Sequence, residues 1–404
     1  MYDIEAIRAD FPILAREVNG KPLVYLDNGA SAQKPQVVID AISRSYSHEY
    51  SNVHRGLHYL SNLATDQYES VRGTVARFLN AGNEDHIVFT SGTTEGINLV
   101  AYAWAMPNLQ AGDEIILSVM EHHANIVPWH FLRERQGVVI KWVDVDASGA
   151  LDPQAVIDAI TPKTKLIAVT QVSNVLGTVV DVKAITAGAH AKGVPVLVDG
   201  SQAAVHMPVD VQDIGCDFYA MSAHKMYGPT GVGALWGRKE LLESMPPWQG
   251  GGSMIDKVTF EQTTFAPPPQ RFEAGTPAIA EALAFATACD FIEDIGLDTI
   301  EAHERSLVSQ LREELARIQG VRVFGPEDSL AIVSFELPGV HPHDLGTILD
   351  EENVAIRAGH HCCQPLMEHL GVPGTARASF GVYSDEVDIA ALMRGIDRTL
   401  KIFA

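Results

Sequence analysis

"VPVLVDGSQA" (Val194–Ala203) is a short apolar run that closes on a carboxylate, Asp199, and then breaks into glycine and serine. Apolar runs of this length read as strands. A carboxylate at the carboxyl end of such a strand stands where open α/β sheets bind their ligands, although the same residue type also suits an ordinary helix cap. Outward from it lie similar runs: "IVFT" (87–90), "EIILS" (114–118), "VVIKWV" (138–143), "LIAVT" (166–170) and "PVLVD" (195–199). Between them fall helix-length segments at 96–105, 123–136, 153–160 and 183–192. This rhythm predicts an α/β fold whose mostly parallel sheet is flanked by helices on both faces.

A chain of 404 residues has room for two domains. Between about 240 and 277 the alternation gives way to "PPWQGGGSM" and "FAPPPQRFEAGTP", which read as exposed loops, and loops of that length are usually functional or lie at an interface. Helical segments at 279–295 and 300–318 follow. Then come the strand-like "VRVFG" and "LAIVSFEL", a helical 343–352, the strand-like "VAIR" and a terminal helix near 385–402. We expect a large domain over 21–294, a smaller α+β domain over 295–404, and an N-terminal arm, 1–20, associated with the small domain.

The 29 basic and 51 acidic residues leave a formal charge of -22, which repels phosphate backbones and anionic lipid surfaces and argues against nucleic-acid binding. The opening "MYDIEAIRADFPIL" carries acidic residues where a signal peptide would be positive, and no apolar run reaches membrane-spanning length; a cytoplasmic address is expected. Cys216, Cys289, Cys362 and Cys363 are too few and scattered for a disulfide framework.

In "MSAHKMYGPTGVGALWG" (221–237) a single lysine, Lys225, lies between a Ser/His pair and a loop rich in glycine. Upstream, "IVFTSGTTEGIN" runs from strand through glycine and the hydroxyls of Thr93 and Thr94 into a helix, an arrangement that leaves N–H groups free to hold an anion. A phosphate cradle, an acid for a pyridinium nitrogen and a lysine for a Schiff base are together what pyridoxal 5'-phosphate needs.

These stretches belong to a longer series: "YLDNGASAQKP", "NVHRGLH", "FTSGTTEGINLVA", "EHHANIVPW", "VSNVLGT", "VDGSQA", "SAHKMYGPTG", "RFEAGTP" and "RAGHHCCQP". In them the chain resembles the group II, Suf-type cysteine desulfurases of the class V branch of fold-type I pyridoxal-phosphate enzymes. The resemblance implies that Lys225 carries the cofactor and that Asp199 holds its ring nitrogen protonated. It places His122 on the ring, as a proton shuttle too, with Gln202 and Asn174 along the edge that bears the phenolic oxygen. Thr94, Ser222 and His224 would hold the phosphate, as would Thr276 from the partner subunit of a homodimer. Arg377, in "TARASFGVY", would clamp the substrate α-carboxylate, for which a planar bidentate donor is apt. Ser91 departs from the pattern, since the family carries an arginine before "GTTE", and this bears on a subunit contact.

"RAGHHCCQP" (357–365) sets two histidines beside two cysteines. Four adjacent residues cannot wrap one tetrahedral ion, because ligand pairs need spacing, so no metal site is expected. In an extended loop Cys362 and Cys363 would point opposite ways. The aligned motif gives the sulfur-accepting role to Cys362, as a thiolate that His360, His361 or Arg357 would stabilise. Cys363 is either an accessory thiol or a neutral substitution. The implied reaction converts L-cysteine to L-alanine with a persulfide on Cys362, passed to a sulfur-acceptor protein for iron–sulfur cluster assembly. Selenocysteine lyase and cysteine sulfinate desulfinase are the enzyme alternatives, and an idle binding subunit is the rival of another class.

Overall fold

The computed structural model describes residues 2–403 apart from Asn19 and Arg55. Arg55 of the "NVHRGLH" motif therefore lies outside the described residues, as do the chain ends, Met1 and Ala404. Among the described residues seven strands form the large sheet: β1 (Ile87–Thr90), β2 (Glu114–Ser118), β3 (Val139–Val143), β4 (Thr164–Thr170), β5 (Val196–Asp199), β6 (Phe218–Ser222) and β7 (Gly233–Gly237), in the order β1-β7-β6-β5-β4-β2-β3. The pairs from β3 to β6 are parallel, while β7 runs antiparallel to both β6 and β1. Two reversals make β1 point the same way as β6, so the carboxyl ends of β1, β2, β4, β5 and β6 share one edge.

The apolar runs are uninterrupted because the sheet is covered on both faces. Ile116, Ile167, Val169, Val196, Val198 and Met221 pack into one core. Their neighbours Leu117, Leu166, Ala168, Leu197, Phe218 and Ala220 pack into the other. Helix α1 (Tyr59–Phe78) precedes the sheet in sequence, and α2 (Thr93–Leu99), α3 (Val127–Gln136) and α4 (Val182–His190) lie between its strands. The helix expected at 96–105 begins at Thr93 and continues as wider π turns over Val100–Ala105.

The glycine- and proline-rich stretch after residue 240 is not all loop. Ile255–Val258 and Thr263–Phe265 pair as an antiparallel hairpin, with Phe260 fully exposed at its tip. Its strands are exposed along nearly their whole length, so no buried alternating face marked them in the sequence.

Beyond it run α5 (Ile279–Ile295) and α6 (Leu297–Ala316), followed by an antiparallel sheet of β8 (Arg322–Phe324), β9 (Ile332–Glu336), β10 (Arg357–Gly359) and β11 (Thr375–Ser379), ordered β8-β9-β11-β10. Helices α7 (Pro342–Glu351), α8 (Gln364–Leu370) and α9 (Glu386–Phe403) complete this layer, whose core gathers Leu307, Leu311, Phe335, Leu349 and Ile396. The N-terminal segment is fastened to it: Tyr2 stacks on His303 at 4.0 Å, and Arg8 reaches Asp388 at 3.1 Å. Val24–Tyr25 pairs in parallel with Val354–Ala355, and Asp27 bridges to Ser379, so backbone bonds tie the chain to this layer past residue 20.

Candidate active site

The shared strand edge opens into a cavity of about 230 Å³, walled across from it by the C-terminal layer. Around it stand Lys225, Asp199, His122, Thr93, Thr94, Asn174, Ser222, His224, Cys362 and Arg377. The cavity thus brings together residues that lie up to 348 positions apart in the chain (Gly29 to Arg377).

All but Arg377, which lies within β11, come from the end of a strand or the turn after it. After β1 the chain turns at Gly92, whose φ of +143° suits only glycine, and a Cβ there would lie 3.1 Å from Ser222 Oγ. The turn brings the Thr93 N–H to Ser222 Oγ at 2.8 Å. Ser201 joins this cluster to the end of β5: its hydroxyl donates to Thr93 Oγ1 at 2.8 Å, and its N–H donates to Asp199 Oδ1 at 2.9 Å. A hydrogen-bonded series thus runs from the carboxylate to the start of α2.

Electrostatics follow from burial. Lys225 is held below the ordinary ammonium range, chiefly by burial and in opposition to Asp199, which favours its charge. His122 is lowered to about 4 by burial and then by the Lys225 charge, and its Nδ1 accepts the Ala124 N–H at 3.1 Å. At neutral pH it is therefore an uncharged ring against the cavity. His224 is likewise lowered to about 4, by burial and then by Lys225 and Lys34.

On the C-terminal side, Arg357 and Arg377 are register partners on β10 and β11. Both reach Asp27, Arg357 through Nη2 at 2.8 Å and Arg377 through Nη2 at 3.2 Å. One carboxylate against two guanidinium groups leaves a net positive charge at the cavity wall, an arrangement that favours an anion. Arg377 is fully buried, donates from Nη1 to the Asn174 carbonyl at 2.8 Å, and keeps an unpartnered Nε.

The segment with the paired cysteines is a tight turn, not the extended loop expected: His361 and Cys362 have φ of +52° and +57°. The two thiols diverge all the same. Cys362 is exposed and lines the cavity, whereas Cys363 is buried in the core. Of the side chains expected to steady a thiolate, His361 is unsuited: burial and the Arg377 charge lower it to about 3, and its Nε2 meets Thr375 O and Oγ1 at 3.0 and 2.8 Å. Arg357 stands on the cavity wall with Cys362.

Two expected residues are not on the wall. Gln202 lies just behind it, giving Nε2 to the Gly29 carbonyl at 2.8 Å while its buried Oε1 has no partner. Thr276 is exposed and outside this cavity. Asp27 and Ser201 were not singled out from the sequence, although both sit inside quoted motifs, "YLDNGASAQKP" and "VDGSQA", where a carboxylate and a hydroxyl are residue types that sites use.

The match to the class-V aminotransferase family model runs over residues 24–392. This chain belongs to the class-V aminotransferase family. Among its relatives in the family, a cysteine desulfurase of Serratia proteamaculans is 48% identical over 402 residues, 99% of each chain. The cysteine desulfurase CsdA of Escherichia coli, solved in an S-sulfonic acid form, superposes with a TM-score of 0.93 at 42% identity over 100% of both chains. The apo cysteine desulfurase of Thermococcus onnurineus gives a TM-score of 0.93 at 37% identity, covering 98% of each.

The donor set fits the cofactor of pyridoxal-phosphate class-V enzymes: hydroxyl and imidazole groups at a helix start for a phosphate, a carboxylate at a strand end for a pyridinium N–H, and a lysine of lowered basicity for the aldehyde. The orphaned Gln202 Oε1 just behind this wall adds an unused polar atom.

Proposed function

We propose that this protein is a pyridoxal-phosphate-dependent cysteine desulfurase that converts L-cysteine to L-alanine and leaves the sulfur as a persulfide on Cys362. The single observation that carries the reading is the joint placement of Lys225, Asp199 and the exposed thiol of Cys362 around one cavity, in a chain closely similar over its whole length to cysteine desulfurases.

When bound, pyridoxal phosphate supplies an electron sink for the substrate's α-carbon, which makes the carbon–sulfur bond cleavable. Lys225 would hold the cofactor, Asp199 would keep its ring nitrogen protonated, and Thr93, Thr94, Ser222 and His224 would hold its phosphate, with Gln202 and Asn174 as further polar partners. His122, neutral at working pH, would face the cofactor from the cavity wall and could move a proton through its free nitrogen. Arg377 takes the substrate carboxylate. The Cys362 thiolate attacks the substrate sulfur: a sulfur–sulfur bond forms as the carbon–sulfur bond breaks, and the electron pair stays with the carbon, which a proton completes as alanine.

The finer reading has a large domain (21–294) that carries the cofactor and a smaller one (295–404) that carries the thiol loop, with an arm (1–20) packed on the latter. It includes a homodimer in which Thr276 serves the partner's phosphate; its exposure outside this chain's own cavity supports that. The persulfide passes to a Suf-type acceptor protein for iron–sulfur cluster assembly in the cytoplasm. No helix among the described residues is long and apolar enough to cross a membrane.

The test is to incubate the holoenzyme with cysteine, measure alanine, and locate added sulfur on the peptide bearing residues 362 and 363. Rates on selenocysteine and cysteine sulfinate measured alongside separate the enzyme alternatives. Absent alanine and absent cofactor absorbance would favour an idle binding subunit.

A further inference from the structure

Two consecutive non-glycine residues, His361 and Cys362, lie in the left-handed region, which a Cβ disfavours, so the turn persists only where fixed contacts hold it. From the Asn174 side, Nδ2 donates to the His361 carbonyl at 2.8 Å. From the other side comes a single residue, His123. Its backbone N–H donates to the Cys362 carbonyl at 2.7 Å, and its Nε2 accepts the Gln364 N–H at 3.2 Å.

Gln364 is the first residue of α8, and its N–H belongs to the helix-start donors that lack an intrahelical partner. The preceding residue, Cys363, makes no side-chain cap bond. His123 supplies the missing acceptor from a distant part of the chain. It sits in the 3-10 turn His123–Asn125 directly after His122, which lines the cavity. One turn therefore presents an imidazole to the cofactor site and grips the loop that carries the thiol.

We propose that His123 is a positioning residue for the desulfurase reaction: by holding the Cys362 carbonyl with its backbone donor and the Gln364 N–H with its imidazole acceptor, it fixes the turn that presents the thiol to the cavity. The proposal rests on Cys362 being the sulfur acceptor. The acceptor role requires a neutral ring with its proton on Nδ1, and partial burial together with His360 lowers the basicity of His123, a shift in the direction of that form.

The test compares holoenzymes carrying His123→Leu, which keeps bulk and removes the acceptor, and His123→Gln, which restores a side-chain oxygen. Both keep the backbone donor. A misplaced thiol in His123→Leu should slow persulfide formation by about 10- to 100-fold while KM for cysteine stays within about twofold and cofactor absorbance is unchanged. His123→Gln should recover to within about threefold of the parent. A wild-type persulfide rate in His123→Leu overturns the proposal, and so does a His123→Gln variant as slow as His123→Leu. If His123→Leu does not yield folded holoenzyme, the His123→Gln rate decides together with hydrogen exchange on the unmodified enzyme: a Gln364 amide that exchanges as fast as an exposed loop amide removes that hold. Cys362→Ser run in parallel separates the two ideas, because persulfide that still accumulates there defeats the assignment of the thiol, whatever His123 does.

Discussion

The thiol of Cys363 lies 3.1 Å from Oδ1 of Asn174 and donates to it, and this contact separates the fates of two adjacent cysteines. The bond orients the Asn174 amide so that Nδ2 faces the His361 carbonyl. Burial, and then the neighbouring Glu121 carboxyl, push the Cys363 thiol well above its ordinary range, and a thiol that stays protonated is a poor nucleophile. Cys362→Ser should therefore lower alanine release and persulfide formation by about 10³-fold or more. Cys363→Ser should keep turnover within a few fold, and Cys363→Ala should lose about 1 kcal/mol of stability with its hydrogen bond. Mass spectrometry of the peptide with denaturation curves decides, and sulfur loaded in Cys362→Ser but absent in Cys363→Ser would reverse the assignment.

Lys225 carries the most direct consequence. An amine kept below its ordinary basicity by burial is more readily nucleophilic, and among the described residues no second lysine lines the cavity. Lys225→Ala should bring turnover to background, a loss of about 10³-fold or more, and shift the visible absorbance of the cofactor, while the melting temperature of the cofactor-free protein stays the same or rises because a buried amine has gone. Residual steady-state desulfuration within tenfold of the parent would sink the assignment.

Much of this was legible in the sequence because the sheet is buried on both faces: an uninterrupted run such as "PVLVD", too short for a helix, reads as a buried strand, and its last residue then stands at the edge. Lys225, Asp199 and Thr93 could be grouped because a Schiff-base amine, an acid and a phosphate cradle answer the needs of one cofactor. Contacts made across the two layers were not legible. Asp27 pairs with Arg357 and Arg377 from 330 and 350 residues away, and no local spacing encodes that. The left-handed turn at His361 and Cys362 was hidden for a different reason. It is held by Asn174 and His123, not by a glycine or a turn-forming residue, so the expectation of an extended loop reached diverging thiols by the wrong geometry.

Arg377 tests the anion site. Its guanidinium is held by the Asn174 carbonyl and Asp27, and a planar fork is what a carboxylate engages bidentately. Arg377→Lys preserves the charge and loses the fork. Steady-state kinetics should show kcat/KM for cysteine falling by about 10- to 100-fold, carried mainly by KM, with cofactor absorbance retained. A fall carried by kcat alone, with KM unchanged, would place Arg377 in the chemistry and not in substrate binding.

The last prediction concerns pH. Glu121 precedes His122 and is fully buried, with its carboxyl bonded by Ser118 and by Asn125 Nδ2 at 2.8 Å. Burial raises it from the ordinary 4.5 to about 8, with a smaller push from Asp199, against hydrogen bonds that favour the anion. A raised carboxyl pKa means that the folded chain binds this proton more tightly than the unfolded chain does. The stability it contributes is thus fully present below about pH 4.5 and is lost as pH rises through about 8. Glu121→Gln removes the titration while keeping shape and hydrogen-bonding capacity. Other groups titrate in both proteins, so the difference between the two isolates Glu121. From about pH 5 to pH 8 the variant should gain on the parent by up to about 1.4 kcal/mol per pH unit, read from denaturant unfolding of the two holoenzymes. A difference that stays flat across that range would mean that Glu121 is already charged in the folded protein, held by Ser118 and Asn125 strongly enough to overcome its burial.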